Sequence, residues 1–317
     1  MLFALPSRLR RRGILGMNER NVGYIGEYNS RRFYPLVDNK LETKRAATER
    51  NIPVPELYGV ISYQHEVSSV IAMLESHDGF VIKPAQGSGG KGILVVIGRH
   101  GERYIKSSGQ EVDAQYVRRH VSNILAGLHS LGGRNDHAMI ESLIDFDPCL
   151  ASFSHEGVPD VRVIAFQGVP VMAMMRCATH ASDGKANLHQ GAVGVGLDIG
   201  TGRSVGAVQH NRRVTCHPDT QASFTDLQIP HWTRVLDLAA SCVEMTGLGY
   251  LGADVILDRE RGPMLLELNA RPGLAIQVAN RAGLRSRLTE AAHIAAEAED
   301  HDTRIDLARR RFSVHSW

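Results

Sequence analysis

Cysteine is scarce in this sequence of 317 residues, and its four cysteines are far apart. They stand at Cys149, Cys177, Cys216 and Cys242, so no two of them form a Cys-x-x-Cys pair. This spacing excludes a small disulfide-stabilised fold and argues against a thiolate metal site. It is typical of reduced proteins, and we therefore expect a cytoplasmic location.

A long apolar run is also missing, since no stretch approaches the ~18 residues that a membrane-spanning helix needs. The first residues, MLFALPSRLRRRGILG, place apolar side chains before the arginines, which is the reverse of a secretory signal. We expect no membrane partner. The basic cluster of Arg8, Arg10, Arg11 and Arg12 offers contacts to RNA, anionic lipid or an acidic protein substrate, but a solvated arm is the favoured interpretation.

An excess of charge of either sign is absent as well. The chain has 36 basic and 34 acidic residues, a formal net charge of +2, which argues against a surface built wholly to bind nucleic acid. No internal repeat or low-complexity tract is present. Glycine is abundant, at 31 residues, and without a Gly-X-Y period these glycines are expected in tight turns and close backbone approaches.

Helical and extended patterns are mixed along the chain. The predicted helices cover 39–51, 66–76, 111–131, 231–245 and 284–311, and the predicted strands cover 57–63, 79–84, 91–98, 138–144, 161–166, 169–176, 251–257 and 264–268. Gly168 separates two of these strands and indicates a hairpin, while residues 1–37 show no period and are expected to form an arm or cap. The mixture predicts the α+β class, or α/β with hairpins.

The segment QGSGGKG at 86–92 matches the spelling G-x-G-x-x-G. A dinucleotide fingerprint must open a helix, whereas ILVVIG follows here and predicts a strand. A Walker A loop is excluded because Gly92 stands where Ser or Thr is required. A glycine-rich tip between two strands can fold over phosphates and present backbone N–H groups, with Lys83 on the incoming strand near their charge. The alternative is a flexible hairpin with a solvated lysine.

A second pattern lies at 252–273, where acidic residues interrupt two apolar strands. With the centre of the turn at 260–261, Asp254 and Glu267 face each other at a Cβ separation of roughly 5 Å, and Asn269 shares their face. The opposite face would carry Val255, Leu257, Leu266 and Leu268. Adjacent carboxylates repel each other, and a divalent cation removes that repulsion. Oxygen ligands suit Mg²⁺, so a metal site is favoured over a solvated acidic hairpin.

The order of the motifs resembles that of the ATP-grasp superfamily, and within it the RimK-type and alpha-L-glutamate ligase-like proteins. The motifs are Asp38-Asn39-Lys40, VIKP at 81–84 with the glycine loop, MIESLI at 139–144, DVRV at 160–163, KANLHQG at 185–191, and Asp254, Glu267 and Asn269 with the N-x-x-P-G turn. The resemblance covers residues 38 to about 285. Two features depart from the family. A full pre-ATP-grasp domain is lacking before the lysine helix, and Arg271 stands where RimK-type ligases usually carry Ser.

The resemblance implies an ATP-grasp fold, in which two α/β lobes with antiparallel sheets clamp ATP. It implies an N-terminal arm or cap at 1–37, an ATP-grasp domain at 38–295 and a C-terminal helical tail at 296–317. Within the domain, residues 38–137 would form the lobe with the glycine loop, and residues 138–295 would form the lobe with the metal site.

The resemblance further implies an enzyme, an ADP-forming acid–amino-acid ligase that makes an amide bond through an acyl phosphate. The implied cofactors are ATP and two Mg²⁺ ions, with Mn²⁺ as the alternative metal. The implied substrates are an amino acid such as glutamate and a peptide, a protein or a small molecule. The residues implied to bind ATP are Lys40, Lys83, Gly87, Ser88, Gly89, Gly90, Glu141, Ser142, Leu143, Ile144, Asp160, Lys185 and Asn187. Those implied in catalysis are Arg162, Arg176, Lys185, Asn187 and Arg271, and the implied metal ligands are Asp254, Glu267 and Asn269.

Two alternatives to the ligase remain open. One is an ATP-grasp kinase that phosphorylates a hydroxyl of a small molecule. The other is a non-catalytic nucleotide-binding subunit, although the complete set of lysines and metal ligands argues against it. For Arg176 a structural ion pair is weighed equally with a substrate contact. His180 and His189 are expected to hydrogen-bond and not to act as bases. Cys177 is expected in the core, and Trp232 is expected in the core or at an interface and not as a ring stacked on adenine. No nucleic-acid partner is expected, and a homo-oligomer is left open.

Overall fold

The computed structural model describes residues 6–87 and 89–314, so Ser88 of the glycine loop lies outside the described residues. The chain divides into two compact units. Unit 1 takes the residues up to Asp38, Arg45–Pro53 and the residues from Phe146 onward, and unit 2 takes Asn39–Lys44 and Val54–Asp145. Each unit is built on an antiparallel sheet.

The strands and helices follow one another irregularly along the chain. The strands are β1 (Leu57–Ile61), β2 (Phe80–Pro84), β3 (Leu94–His100), β4 (Arg103–Lys106), β5 (Glu111–Val112), β6 (Ala138–Ser142), β7 (Asp160–Phe166), β8 (Val169–Cys177), β9 (Val193–Leu197), β10 (Ser204–Gln209), β11 (Arg212–Val214), β12 (Tyr250–Asp258) and β13 (Gly262–Asn269). The α-helices are α1 (Pro6–Arg11), α2 (Met17–Arg20), α3 (Gly26–Tyr28), α4 (Pro35–Asp38), α5 (Lys40–Glu49), α6 (Val70–Leu74), α7 (Ala114–Leu125), α8 (Trp232–Thr246), α9 (Ile276–Asn280), α10 (Leu284–Glu297) and α11 (His301–Arg311).

The sheet of unit 2 has six strands in the order β1-β6-β2-β3-β4-β5. Helix α7 packs on this sheet, because Val117, Val121 and Ile124 recur every three to four residues and form one buried stripe. The helix begins where the side chain of Asp113 accepts the N–H of Tyr116 at 2.7 Å, which satisfies a donor of the first turn. The apolar stripe and the cap therefore fix the helix against the strands that flank the glycine loop.

The sheet of unit 1 has seven strands in the order β11-β10-β9-β8-β7-β12-β13. Strand β12 is buried along its whole length, and helix α8 covers it and β7. The helix starts at Trp232, whose indole N–H donates to the carbonyl of Ile199 at 2.8 Å, and it ends at Gly247 with a φ of 68°. Trp232 is 6% exposed and Cys177 is fully buried, which confirms both as core residues.

Residues 6–38 belong to unit 1 and form a succession of short helices that pack against the rest of that unit. Between α2 and α3 the chain makes a π-helical turn at Asn21–Ile25, and the rings of Tyr24 and Tyr28 meet Phe166 edge-on, with centroids 5.6 and 4.9 Å away. Asn29 fastens the segment further, since its amide donates to the carbonyl of Tyr250. Short turns of different pitch explain why this segment shows no single hydrophobic period.

Each of the eight predicted strands overlaps a strand of the structure, whereas three of the predicted helices differ. The helix expected at 111–131 is shorter at both ends, because Glu111–Val112 pairs with β4 as a strand and α7 ends at Leu125, shortly before Gly127 with its φ of 77°. The helix expected at 66–76 begins as a 3-10 segment at Gln64–Ser69, and the helix expected at 284–311 is divided into α10 and α11. Strands β4, β5, β9, β10 and β11 are absent from the prediction. Among the described residues, no helix has both the length and the apolar character needed to cross a membrane.

Candidate functional site

The hairpin of β12 and β13 pairs Asp254 with Glu267, as the sequence predicts, and pairs Gly252 with Asn269. A β-bulge follows, because Val255 pairs with Leu265 and leaves one extra residue on β13. The predicted register therefore holds on the carboxylate side of the bulge and is wrong by one residue on the turn side. The bulge also changes the apolar face, on which Leu265 is buried while Leu266 is only half-buried.

A row of charged side chains crosses four adjacent strands on the face that carries Asp254. In the register of the sheet, Arg176 on β8 is opposite Asp160 on β7, and Arg162, two residues further on β7, is opposite Asp254 on β12. Side chains two residues apart on a strand share a face, so the row continues from Asp160 and Arg162 through Asp254 to Glu267. The fold thus brings together residues that are up to 107 positions apart, from Asp160 to Glu267.

Bidentate ion pairs hold this row together. Arg162 donates to Asp254 through Nε at 2.7 Å and Nη2 at 2.6 Å. Arg176 donates to Asp160 through Nε at 2.6 Å and Nη2 at 2.7 Å, and the same Nη2 reaches Asp254 Oδ2 at 2.7 Å. Asn269 donates to that oxygen as well, at 3.2 Å. Asp254 is only 1% exposed, so its position is set by these four contacts.

The two guanidinium groups decide the charge state of the row. Burial alone would raise the pKa of Asp254, but Arg162 and Arg176 outweigh that effect and hold it below its ordinary value. Burial raises the pKa of Asp160 against the opposing effect of Arg176, so this carboxylate is the easier one to protonate. Burial would lower the pKa of Arg176, but Asp160 and Asp254 raise it. Arg176 therefore remains a cation beside two carboxylates.

The oxygen atoms of Asp254, Glu267 and Asn269 are hard donors, which is the chemistry that Mg²⁺ prefers. No cluster of three or more His, Cys, Asp and Glu with metal-site geometry occurs among residues 6–87 and 89–314, and here the third donor is an amide. The charged residues of the row are three acidic residues, Asp160, Asp254 and Glu267, and two arginines, Arg162 and Arg176. Glu267 and Asn269 are half-buried at the end of the row, so the residues fit a cation held chiefly there.

Unit 2 carries a second charged cluster, in which two buried lysines share one glutamate. Lys83 Nζ lies 2.6 Å from Glu141 Oε2, and Lys44 Nζ lies 2.9 Å from Glu141 Oε1. Burial lowers the pKa of Lys44 against the attraction of Glu141. Burial would raise the pKa of Glu141, but Lys83 and Lys44 outweigh it and hold the pKa below its ordinary value.

Lys44 was not identified from the sequence. It follows Lys40 by four residues on α5, a spacing that places two side chains on one face of a helix. This spacing is the feature of the sequence that could have identified Lys44 as a site residue. Lys40 itself donates to the carbonyl of Gly87 at 2.6 Å and so contacts the glycine loop. The structure thus brings Lys40 to the loop, and Lys44 and Lys83 to Glu141.

The glycine loop joins β2 to β3, as the sequence predicts, although β3 begins at Leu94 and not at residue 91. Gly89 and Gly90 have φ values of 65° and 74°, a left-handed conformation that side chains other than glycine adopt at a cost. At the end of β6, Ser142 is buried and its hydroxyl accepts the N–H of Glu56 at 3.1 Å. Leu143 and Ile144, which follow the strand, are half-buried. These residues form the segment in which the family resemblance places adenine.

The remaining candidates make local contacts. Lys185 pairs with Asp183 at 2.9 Å, and Asn187 accepts the N–H of His189 at 3.0 Å, which caps a short 3-10 turn. The guanidinium of Arg271 is exposed and lies 5.1 Å from the ring centre of Tyr34. His180 and His189 are also exposed, and the backbone N–H of His180 donates to Asp219 at 2.8 Å.

Comparison with known proteins gives weak similarity to individual structures. No curated protein matches the chain. The ATP-grasp ligase PsnB, solved with a minimal precursor, is 14% identical over 85% of this chain and 63% of its own, with a TM-score of 0.46. The D-cycloserine synthetase DcsG is 15% identical over 88% of this chain and 72% of its own, with a TM-score of 0.44. The D-alanine–D-alanine ligase of Bacillus anthracis is 12% identical over 88% and 68%, with a TM-score of 0.44.

The chain spans about three fifths of the length of the PsnB structures that it matches. A family profile gives the stronger result, since that of the sugar-transfer associated ATP-grasp proteins matches residues 19–293. This match includes the charged row, the glycine loop and the second half of the N-terminal helices. Because it covers most of the sequence, the chain belongs to the sugar-transfer associated ATP-grasp family.

Proposed function

We propose that this chain is an ATP- and Mg²⁺-dependent ligase that joins a carboxylate to an amine. The observation that carries the proposal is the charged row on β8, β7, β12 and β13, in which Asp254 and Glu267 are opposite each other beside two arginines whose side chains are 12% and 13% exposed. Burial of charged groups is costly even when they are paired, and such clusters are typical of functional sites. A protein that only bound nucleotide would not need to place two buried carboxylates, those of Asp160 and Asp254, against two guanidiniums.

In this proposal Lys40 and Lys83 neutralise the phosphates of ATP, and the glycine loop offers backbone N–H groups to them. Glu267, Asn269 and Asp254 hold Mg²⁺, which supplies charge neutralisation to the phosphoryl group when bound. Glu141, Ser142, Leu143 and Ile144 contact adenine, Asp160 contacts the ribose or groups near it, and Lys185 and Asn187 lie toward the γ-phosphate. The side chain of Glu141 is already paired with Lys83 and holds that lysine in place, so the proposed contact of Glu141 with adenine is through its backbone.

The reaction has two steps. An oxygen of the substrate carboxylate attacks the γ-phosphorus of ATP, the bond to the bridging oxygen breaks, and an acyl phosphate and ADP form. The amine then attacks the acyl carbon, phosphate leaves, and the amine loses a proton as the amide forms. Positioning and charge compensation are the main needs of both steps. Arg162 and Arg176 fix Asp254, while Arg271 is exposed and suited to a substrate carboxylate.

The proposed substrates follow from the motif order and from the family. The motif order favours a RimK-like ligase that adds glutamate or another amino acid to a peptide, a protein or a small molecule. The description of the family as sugar-transfer associated adds amino sugars and sugars with a carboxylate group to the candidates. Arg271, in place of the Ser usual in RimK-type ligases, favours an acceptor pocket that binds an anionic group.

ADP release in a screen of carboxylates paired with amines tests the reaction class. We expect ADP to form only when both partners are present, with an amide product of the summed mass minus water. ADP formed with a hydroxyl acceptor and a phosphorylated product would instead establish the kinase alternative. Nucleotide binding without turnover on any pair would favour the non-catalytic subunit.

The substitution Glu267→Ala tests the metal assignment. Removal of the half-buried carboxylate should abolish Mg²⁺-dependent ADP release and leave the far-ultraviolet circular dichroism unchanged. Glu260→Ala is the matched control, because Glu260 is an exposed glutamate in the turn of the same hairpin. Retained activity in Glu267→Ala would refute the assignment of this residue as a metal ligand.

A further inference from the structure

The nearly neutral net charge hides a separation of charge along the chain. Residues 1–38 contain seven arginines, no lysine and three acidic residues, so their net charge is +4. The other residues contain 36 − 7 = 29 basic and 34 − 3 = 31 acidic side chains, so their net charge is −2. The positive charge of the protein is therefore concentrated in the segment that precedes α5.

The arginines of this segment are accompanied by exposed apolar side chains. Arg8, Arg10, Arg11, Arg12, Arg31 and Arg32 are exposed. Leu9 is 40% exposed, Met17 65% and Val22 76%. The helical run from Met17 to Tyr28 buries Ile25 and packs its tyrosines on Phe166, which leaves Met17 and Val22 in solvent. We call the exposed side chains named in this paragraph the N-terminal surface.

Hydrogen bonds join the backbone of the segment that carries the N-terminal surface to the rest of unit 1. The side chain of Gln277 accepts the N–H of Leu15 at 2.8 Å and donates to its carbonyl at 3.1 Å. Arg285 donates to Glu19 at 2.6 Å and to the carbonyl of Arg10 at 3.0 Å. These bonds involve backbone atoms or Glu19, so they do not engage the side chains of Arg8, Arg10, Arg11 and Arg12. The guanidinium of Arg32 lies over the ring of Phe33, 4.4 Å from its centre.

We propose that the N-terminal surface binds an anionic lipid bilayer and lies on it without crossing it. Arginines attract the anionic head groups, and aliphatic side chains gain free energy when they enter the interface between head groups and acyl chains. A single-stranded nucleic acid is the weaker alternative, because such sites stack bases on aromatic rings, and the exposed apolar side chains here are aliphatic. The proposal replaces the sequence-based expectation that the protein has no membrane partner.

Sedimentation of the full chain with lipid vesicles tests the electrostatic part. Vesicles of phosphatidylglycerol and phosphatidylcholine should bind the protein, and vesicles of phosphatidylcholine alone should not. Replacement of Arg8, Arg10, Arg11 and Arg12 by Gln should weaken binding on the order of 100-fold or more, since each arginine near an anionic surface contributes about fivefold. Added salt should weaken wild-type binding, because exposed charges are screened.

The matched control replaces four exposed arginines elsewhere, Arg118, Arg119, Arg212 and Arg213, by Gln. It changes the net charge equally but keeps the N-terminal surface, so its affinity should stay near that of wild type. Equal weakening in both variants, or no wild-type binding to anionic vesicles at low salt, would overturn the proposal.

A second pair of variants tests the apolar part. Met17→Asn with Val22→Asn should weaken vesicle binding and leave its salt dependence unchanged, because only apolar contacts are lost. Ile97→Asn with Leu128→Asn is the control, since these side chains are exposed by 51% and 65% in unit 2. Unchanged vesicle binding in Met17→Asn with Val22→Asn contradicts the proposal. So does a higher wild-type affinity for single-stranded RNA, measured by fluorescence anisotropy, than for anionic vesicles.

Discussion

Two buried lysines that share one glutamate depend on that pairing, because a buried charge is stable only where it is paired. In the cluster of Lys44, Lys83 and Glu141 each carboxylate oxygen faces one ammonium group. We expect Lys44→Met to lower the free energy of unfolding by about 2 kcal/mol, since it leaves one buried oxygen of Glu141 without its partner. Lys106→Met, at a half-exposed lysine of the same unit, should change it by less than about 0.5 kcal/mol in urea unfolding.

Lys44→Met should also change how the free energy of unfolding depends on pH in acid, which a simple packing defect would not do. The folded state holds the pKa of Glu141 below its ordinary value of 4.5, so the ionised side chain contributes stability above that pH. This contribution is lost as the pH falls through the lowered pKa. Without Lys44 the pKa of Glu141 should rise toward its ordinary value, and the free energy of unfolding should fall less steeply in acid than in wild type. An equally steep fall would show that Lys44 does not act on Glu141.

The hairpin of β12 and β13 shows which features of strand pairing a local sequence pattern can predict. Alternating apolar and acidic residues around a polar turn sufficed to predict that Asp254 and Glu267 are opposite each other. The bulge beside them could not be predicted, because an extra residue in one strand leaves no mark in the alternation of a short segment. The predicted pairing was right because the assumed centre of the turn, half a residue from the real one, compensated for the bulge.

The contacts of Arg162 and Arg176 with Asp254 could be identified only from the folded structure. Asp254 meets Arg162 and Arg176 through strands that are 92 and 78 positions away in sequence. Periodicity within each strand predicts which face a residue occupies, but not which strands become neighbours. The D-x-R motif therefore identified Arg162 and Asp160 as candidates, while their roles as partners of Asp254 and Arg176 came only with the sheet order. Whether Arg176 also contacts substrate stays a prediction.

A close approach between β12 and the turn after β13 gives a prediction for this element. A Cβ added at Gly252 would lie 2.8 Å from Cβ of Pro272, so Gly252→Ala must displace the segment that carries Asn269 and Arg271. We expect a loss of about 1–3 kcal/mol in the free energy of unfolding, as for other overpacked sites, together with reduced ADP release. Gly273→Ala is the control, because a Cβ there meets no atom within 4 Å. Wild-type stability and activity in Gly252→Ala would show that the turn tolerates displacement.

For the whole molecule, the proposed ligand set predicts how the folded chain responds to nucleotide. A ligand that binds only the folded state adds about 2.7 kcal/mol of stability at a concentration of a hundred times its Kd. A non-hydrolysable ATP analogue with Mg²⁺ should therefore raise the unfolding temperature, and removal of the metal with EDTA should take away most of that increase. Lys83→Met should weaken the response to the nucleotide itself, because it removes a charge assigned to the phosphates.

Glu267→Gln separates the metal from the nucleotide in the same experiment. The amide keeps the size of the side chain but loses the negative charge, so the variant should melt like wild type without ligand and gain little from Mg²⁺ beyond the gain from nucleotide alone. Glu260→Gln, at the exposed glutamate of the turn, should respond to Mg²⁺ as wild type does. If Glu267→Gln gained as much as wild type, the cation would have to lie elsewhere. Arg162 and Arg176 would then make Asp254 a structural residue, because a carboxylate already neutralised by two guanidiniums has little remaining attraction for a metal ion.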